Sequence, residues 1–115
     1  MKTRYGWVEI DGIRYDHDVI VHADRQVTKR SKKRSKKYKK RYGHTPLALD
    51  ELNFLKTEKP QVVYIGTGQF GDLPLPVDTL CMLREYEPVI RPTPEVLEYL
   101  ENETRVAVAI LHVSC

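Results

Sequence analysis

The sequence predicts a layered α/β domain with a mixed sheet, opening on an antiparallel meander and ending in a βαβαβ unit. Three observations predict it. Asp11-Gly12 stands between two short apolar stretches, the strongest local signal for a tight hairpin. From residue 62 onward, apolar runs of strand length alternate with segments whose apolar residues recur at helical spacing. The last run, residues 105–113, is apolar on both faces, as a strand covered on both sides must be.

Taken in order, Trp7–Ile10 and Ile13–Tyr15 flank the Asp11-Gly12 turn. Residues 18–22 continue as a strand, Ala23-Asp24 offers a turn, and residues 25–28 pair back. In Gly43-His44-Thr45-Pro46, Thr45 can cap and Pro46 can take the first position of a helix or turn. Leu49, Leu52 and Leu55 follow at helical spacing, and Pro60 closes that helix. Residues 62–65 make the next strand. A helix over 76–86 should then turn Val77, Leu80, Cys81 and the stem of Arg84 inward. Residues 89–91 return to strand, and Thr93-Pro94 caps a helix with Val96, Leu97 and Leu100 inward. The strand over 105–113 is expected at the centre of the sheet, reached by right-handed crossovers.

With 115 residues the chain reads as one domain, 1–115, large enough to bury about two thirds of the surface its unfolded form exposes. Cys81 and Cys115 form no Cys-x-x-Cys pair, so neither a zinc site nor a disulfide framework is indicated, which fits a reducing, cytoplasmic setting. The start Lys2-Thr3-Arg4-Tyr5-Gly6-Trp7 lacks the apolar core of a signal peptide. The longest apolar run, 106–111, is far short of the roughly 20 residues that span a bilayer, so no membrane insertion is expected.

The net charge of +3 hides an asymmetry. Ten basic residues and no acidic one lie within 29–41; the other nine basic residues stand against all sixteen acidic ones, which leaves −7 on the rest of the chain. Residues 29–43 are thus a basic loop or arm within an acidic domain. Three readings of it stay open. Ten like charges repel one another and bury nothing, which describes a solvated, partly disordered loop. As a nucleic-acid ligand, the segment offers Lys32, Lys33, Arg34, Lys36, Lys37, Lys39, Lys40 and Arg41 to phosphates, with Tyr38 and Tyr42 to stack on unpaired bases. As a docking arm, it can meet the acidic surface of its own or a neighbouring subunit and form a homo-oligomer that weakens with salt.

The second feature with chemical content is the string Gly66-Thr67-Gly68-Gln69-Phe70-Gly71, which matches Gly-x-Gly-x-x-Gly directly after a strand. A dinucleotide fingerprint opens straight into a helix, whereas Asp72-Leu73-Pro74-Leu75-Pro76 intervenes here, and Arg91 follows the next strand where an acidic residue is expected. A structural turn, a small anionic ligand and a nucleotide all remain compatible. A ligand would be held by Gln69 and the amides near Gly68, within the turn that includes Gly66 and Thr67. Arg91 and Thr93 would add to it from the neighbouring strand end. The histidines show no metal spacing; His112, on the face of Val108 and Ile110, reads as a hydrogen-bonded core residue, and Cys81 as a small core residue. No Ser-His-Asp order, paired-carboxylate pattern or cofactor box stands out, so no enzyme activity and no cofactor are expected.

Five motifs occur in order nearly end to end: the Asp11-Gly12 hairpin with Tyr15-Asp16-His17-Asp18, then His44-Thr45, Ile65-Gly66-Thr67-Gly68-Gln69, Pro92-Thr93-Pro94, and Leu111-His112-Val113-Ser114-Cys115. Together they resemble the family that includes mitochondrial complex I (NADH dehydrogenase) assembly factor 3 and the adipogenesis-associated domain protein. The resemblance implies a three-layer α/β fold on a mixed five-stranded sheet, no catalytic residue or cofactor, and action through protein partners. This chain departs from that family in the length and density of its basic segment. The leading expectation is therefore a non-enzymatic binding or assembly module acting through protein partners, with exposed Phe70, Leu73 and Leu75 offering an interface. The alternatives are a nucleic-acid-associated protein using residues 29–41 and a module binding a small anion or nucleotide at residues 66–69.

Overall fold

A computed structural model describes residues 1–114; Cys115 lies outside the described residues. Strands β1 (Lys2–Arg4), β2 (Trp7–Ile10) and β3 (Ile13–Tyr15) form an antiparallel sheet in that order. Asp11 and Gly12 both have positive φ, 51° and 82°, which gives the hairpin a twist that matches its strands. The meander is a small sheet of its own.

The main sheet contains β4 (Val19–Val21), β5 (Val27–Lys29), β6 (Val62–Thr67), β7 (Pro88–Arg91) and β8 (Ala107–His112), in the order β5-β4-β8-β6-β7. β8 is central, parallel to β6 and antiparallel to β4, while β6 and β7 are parallel. Its residues feed two cores alternately. Ala107, Ala109 and Leu111 pack with Val8 and Ile10 of the meander and with Val96, Leu97 and Leu100 of α4 (Thr93–Glu101). Val108 and Ile110 pack on the opposite face with Leu47, Leu52, Leu55, Leu73 and Leu83. A fully buried leucine such as Leu100 or Leu52 contributes about 2 kcal/mol from water exclusion. The result is three layers around a mixed five-stranded sheet, as expected.

Four local expectations are corrected. Thr45 and Pro46 start no helix, because the Leu47 amide donates to the Pro74 carbonyl (3.0 Å) and holds this stretch extended. A 3-10 turn (Leu49–Leu52) and α2 (Leu55–Glu58) follow, and α2 ends at Lys59 with φ 49°, one residue before Pro60. In α3 (Val77–Leu83) the buried residues are Thr79 and Leu83, whereas Val77 is 76% exposed and Leu80, Cys81 and Arg84 also face solvent. The cause is polar: the Thr79 hydroxyl donates to the Leu47 carbonyl (2.8 Å), which sets the rotation of this short helix. Leu73 is buried and Leu75 half-buried, so of the proposed apolar interface only Phe70 is fully presented. The helix after β7 buries the three residues expected, yet Pro92 occupies its N-cap and Thr93 bonds elsewhere.

Candidate nucleic-acid interface

The basic segment begins where β5 ends, and its first turn is pinned from inside. Arg30, 2% exposed, donates from Nη1 to Asp18 Oδ2 (2.8 Å) and from Nε and Nη2 to the two carboxylate oxygens of Glu51 (2.8 and 2.7 Å). Its Nη2 also donates to the Pro46 carbonyl (2.9 Å). This bidentate fork is the geometry that makes arginine, and not lysine, suitable for a buried ion pair. Burial opposes its charge, but the Glu51 and Asp18 carboxylates outweigh burial and hold the proton more firmly than usual. Ser35, fully buried, donates its hydroxyl to the same Glu51 carboxylate and accepts from the Ala48 amide (3.0 Å).

The expectation that the segment buries nothing is thus corrected: two of its residues clamp Glu51, and the chain between and after them is ordered. It winds through a 3-10 turn (Lys36–Tyr38) into α1 (Lys39–Tyr42), which ends at Gly43 with φ 77°. Lys29, Lys33, Arg34, Lys36, Lys37, Lys39, Lys40 and Arg41 are exposed, and Lys32 is half-buried. Lys32 and Lys37 approach Asp18 and Asp50 at 3.5 Å; the other seven exposed cations make no ion pair among the described residues. Tyr38 and Tyr42 are half-buried, with Lys37 and Arg41 near their rings at 5.2 and 5.6 Å.

The glycine turn is also assembled, but its donors point inward to the protein. Thr93 Oγ1 accepts from the Gly68 amide (3.0 Å) and donates to the His112 carbonyl (2.6 Å), while the Thr93 amide donates to the Gly68 carbonyl (2.9 Å). The Gln69 amide donates to the Ser114 carbonyl (2.7 Å), its side chain to Thr3 Oγ1 (3.0 Å), and the Leu73 amide to the Thr67 carbonyl (3.0 Å). Gly66 and Thr67 belong to β6, with Gly66 opposite Arg91. Arg91 is exposed and donates to the Ile90 carbonyl (2.9 Å). So the six residues singled out lie together, while the amides of Gly68, Gln69 and Thr93 are already spent. The first helix after the glycines starts only at Val77.

A constellation that spacing did not show centres on Asp18, 3% exposed. His112 Nδ1 donates to Asp18 Oδ2 (2.8 Å), the Val113 amide donates to Asp18 Oδ1 (3.0 Å), and Ser114 Oγ lies 3.3 Å from His112 Nε2. Because an ionised carboxylate only accepts, Nδ1 carries a proton toward Asp18, and the Ser114 hydroxyl faces the other ring nitrogen. Burial alone would raise the Asp18 carboxyl; His112, the Val113 amide and Arg30 together reverse this and hold it well below the usual carboxylate range. Asp18 and His112 are far apart in sequence, and only the β4–β8 pairing, Val19 opposite Leu111, brings them together. They belong to the first and last of the five motifs.

These features define a class: a three-layer α/β protein whose strand ends are sealed by internal hydrogen bonds and whose edge carries an ordered cationic face. No family model and no curated protein matches the chain. Among solved structures, it is similar to the conserved hypothetical protein PH1505 from Pyrococcus horikoshii OT3. The two are 32% identical with a TM-score of 0.87, over 100% of this chain and 98% of that one. It is also similar to the protein MT938, with 29% identity, a TM-score of 0.69 and coverage of 100% and 96%. The chain belongs to the family of conserved hypothetical protein PH1505.

Proposed function

We propose that the protein is a non-enzymatic binding module whose ligand is single-stranded nucleic acid, held on the basic face of residues 29–41. The observation that supports this is the clasp of Arg30 and Ser35 on Glu51, which orders the segment so that eight cations stand exposed on one short stretch. An ordered cationic face loses less conformational entropy on binding than a free arm does. Two tyrosines among the cations supply stacking surfaces that are indifferent to sequence. The acidic remainder of the chain repels phosphate and so directs the strand to this face.

The test is binding of labelled single-stranded RNA and DNA across a salt series, comparing the protein with a variant in which Lys33, Arg34, Lys36, Lys39 and Lys40 are glutamine. Those positions leave the clasp intact. Removing five cations should flatten the dependence of log affinity on log salt by up to about 3.5, at roughly 0.7 per phosphate contact. Equal binding by both proteins, or none at low salt, sinks the proposal.

A protein partner is the second reading, supported by the family resemblance and by Phe70, 74% exposed, beside Tyr5, 60% exposed, with ring centroids 6.4 Å apart. A photocrosslinker at position 70 is expected to trap a protein in cell extract that one at exposed position 106, on the opposite end of the sheet, does not. Equal trapping removes this reading.

A further inference from the structure

A cleft of about 290 Å³ lies where the basic segment meets the start of α3, and its lining differs from the face beside it. One side is Tyr38, Arg41 and Tyr42 of the basic segment; the other includes Val77 and Asp78, with Asp50 between. Val77 is 76% exposed although it opens a helix whose other face is core. An apolar side chain of that exposure gains from any flat ligand laid over it. The carboxylates carry the argument further. Two acids in a cleft flanked by cations disfavour a phosphate inside it, and favour a group that donates N–H.

Asp78 is the freer of the two. Its Oδ1 accepts from the Thr79 amide (2.9 Å), and Oδ2 has no partner among the described residues. Asp50 is shared with Lys37 at 3.5 Å. A ligand that is flat, stacks on tyrosine, donates from its edge and leaves its phosphate among the cations outside is a nucleobase of a bound strand. Guanine presents two adjacent N–H donors, N1–H and the 2-amino group, which a carboxylate can accept together; adenine and cytosine present one amino group beside an acceptor, and uracil one N–H between two acceptors.

We propose that this cleft takes the base of an unpaired guanosine, read by the Asp78 carboxylate and stacked against Tyr38 or Tyr42. The proposal rests on the nucleic-acid reading above and adds a base preference to it. The test is fluorescence anisotropy of the full chain with labelled oligouridylate and with the same strand carrying one central guanosine, inosine or adenosine. One guanosine is expected to tighten binding on the order of tenfold, the worth of a good bidentate contact, and inosine, which lacks the 2-amino group, to lose most of that gain. Asp78→Asn should bring the guanosine and uridine strands to the same affinity. Equal binding of all strands by the unmodified protein overturns the pocket and leaves the basic face standing. Failure of every strand to bind removes both. A guanosine preference that survives both Asp78→Asn and Asp50→Asn overturns the carboxylate readout.

Discussion

Arg30→Met is expected to destabilise the fold by about 3–5 kcal/mol, the cost of breaking a buried ion pair by removing one partner. Methionine fills much of the same volume, so the loss is electrostatic and not a cavity. It leaves the Asp18 and Glu51 carboxylates, with side chains 2% and 6% exposed, facing a site without its cation, and orphans the Pro46 carbonyl. In a chain of this size the melting temperature should fall by about 10–20 °C. Lys33→Met, on an exposed cation three residues on, should stay within about 0.5 kcal/mol. Thermal and urea unfolding of the two variants decides: similar small shifts would mean that the clasp does not hold the segment. Arg30→Lys should recover only part of the loss, because an ammonium cannot present two parallel donors to Glu51.

The same centre sets the acid limit of the protein. Asp18 is depressed in the folded state, so its stabilisation is complete above the ordinary carboxylate value near ~4 and is shed progressively as pH falls below it. Glu103, held at about 2 by Arg105 and the Tyr64 hydroxyl, acts in the same direction, but in an exposed ion pair with Arg105 that contributes little. Melting temperature should therefore decline from about pH 4 downward, somewhat more steeply than in Arg30→Met, where the His112 and Val113 partners of Asp18 remain and only the contribution of Arg30 is lost. On the proposed nucleic-acid reading the clasp would also link stability to binding, since Arg30→Met is expected to loosen the cations that follow it.

What the sequence made legible was whatever is local. The Asp11-Gly12 hairpin requires only two residues with positive φ, and α4 declares its inner face through Val96, Leu97 and Leu100. The central place of β8 followed from apolarity on both faces. Helix α3 was misread because its seven residues carry too few turns for periodicity to outvote one buried hydroxyl, that of Thr79, whose partner Leu47 lies 32 positions away. The choice among the three readings of the basic segment stayed open for a related reason. Charge density marks ten cations alike, and nothing in the spacing shows that Arg30 alone lands against two carboxylates from other parts of the chain. The Asp18–His112 pair shows the same blindness to long-range pairing, although the two motifs that contain it were both visible.

Gly66→Ala is expected to cost about 3 kcal/mol, combining overpacking with loss of hydrogen bonds at Thr93. A methyl at residue 66 would lie 2.7 Å from Thr93 Oγ1, 3.1 Å from Leu111 Cδ2 and 3.2 Å from Thr93 Cα. None of these can yield cheaply. Thr93 is fully buried, and its hydroxyl is fixed between the Gly68 amide and the His112 carbonyl; its Cα is backbone at the first turn of α4; Leu111 is fully buried in the central strand. Truncating the neighbour does not rescue the variant, because Gly66→Ala with Thr93→Ala removes the Oγ1 contact but keeps the backbone one and orphans the Gly68 amide. Gly43→Ala is the control. Nothing lies within 4 Å of its added methyl, and only its φ of 77° opposes substitution, at about 1–2 kcal/mol. Urea unfolding of both variants separates the two causes: a Gly66→Ala loss no larger than that of Gly43→Ala would show that α4 can move off the strand. A larger loss fits a glycine retained so that helix and strand can touch, which accounts for the glycine at position 66 without a phosphate.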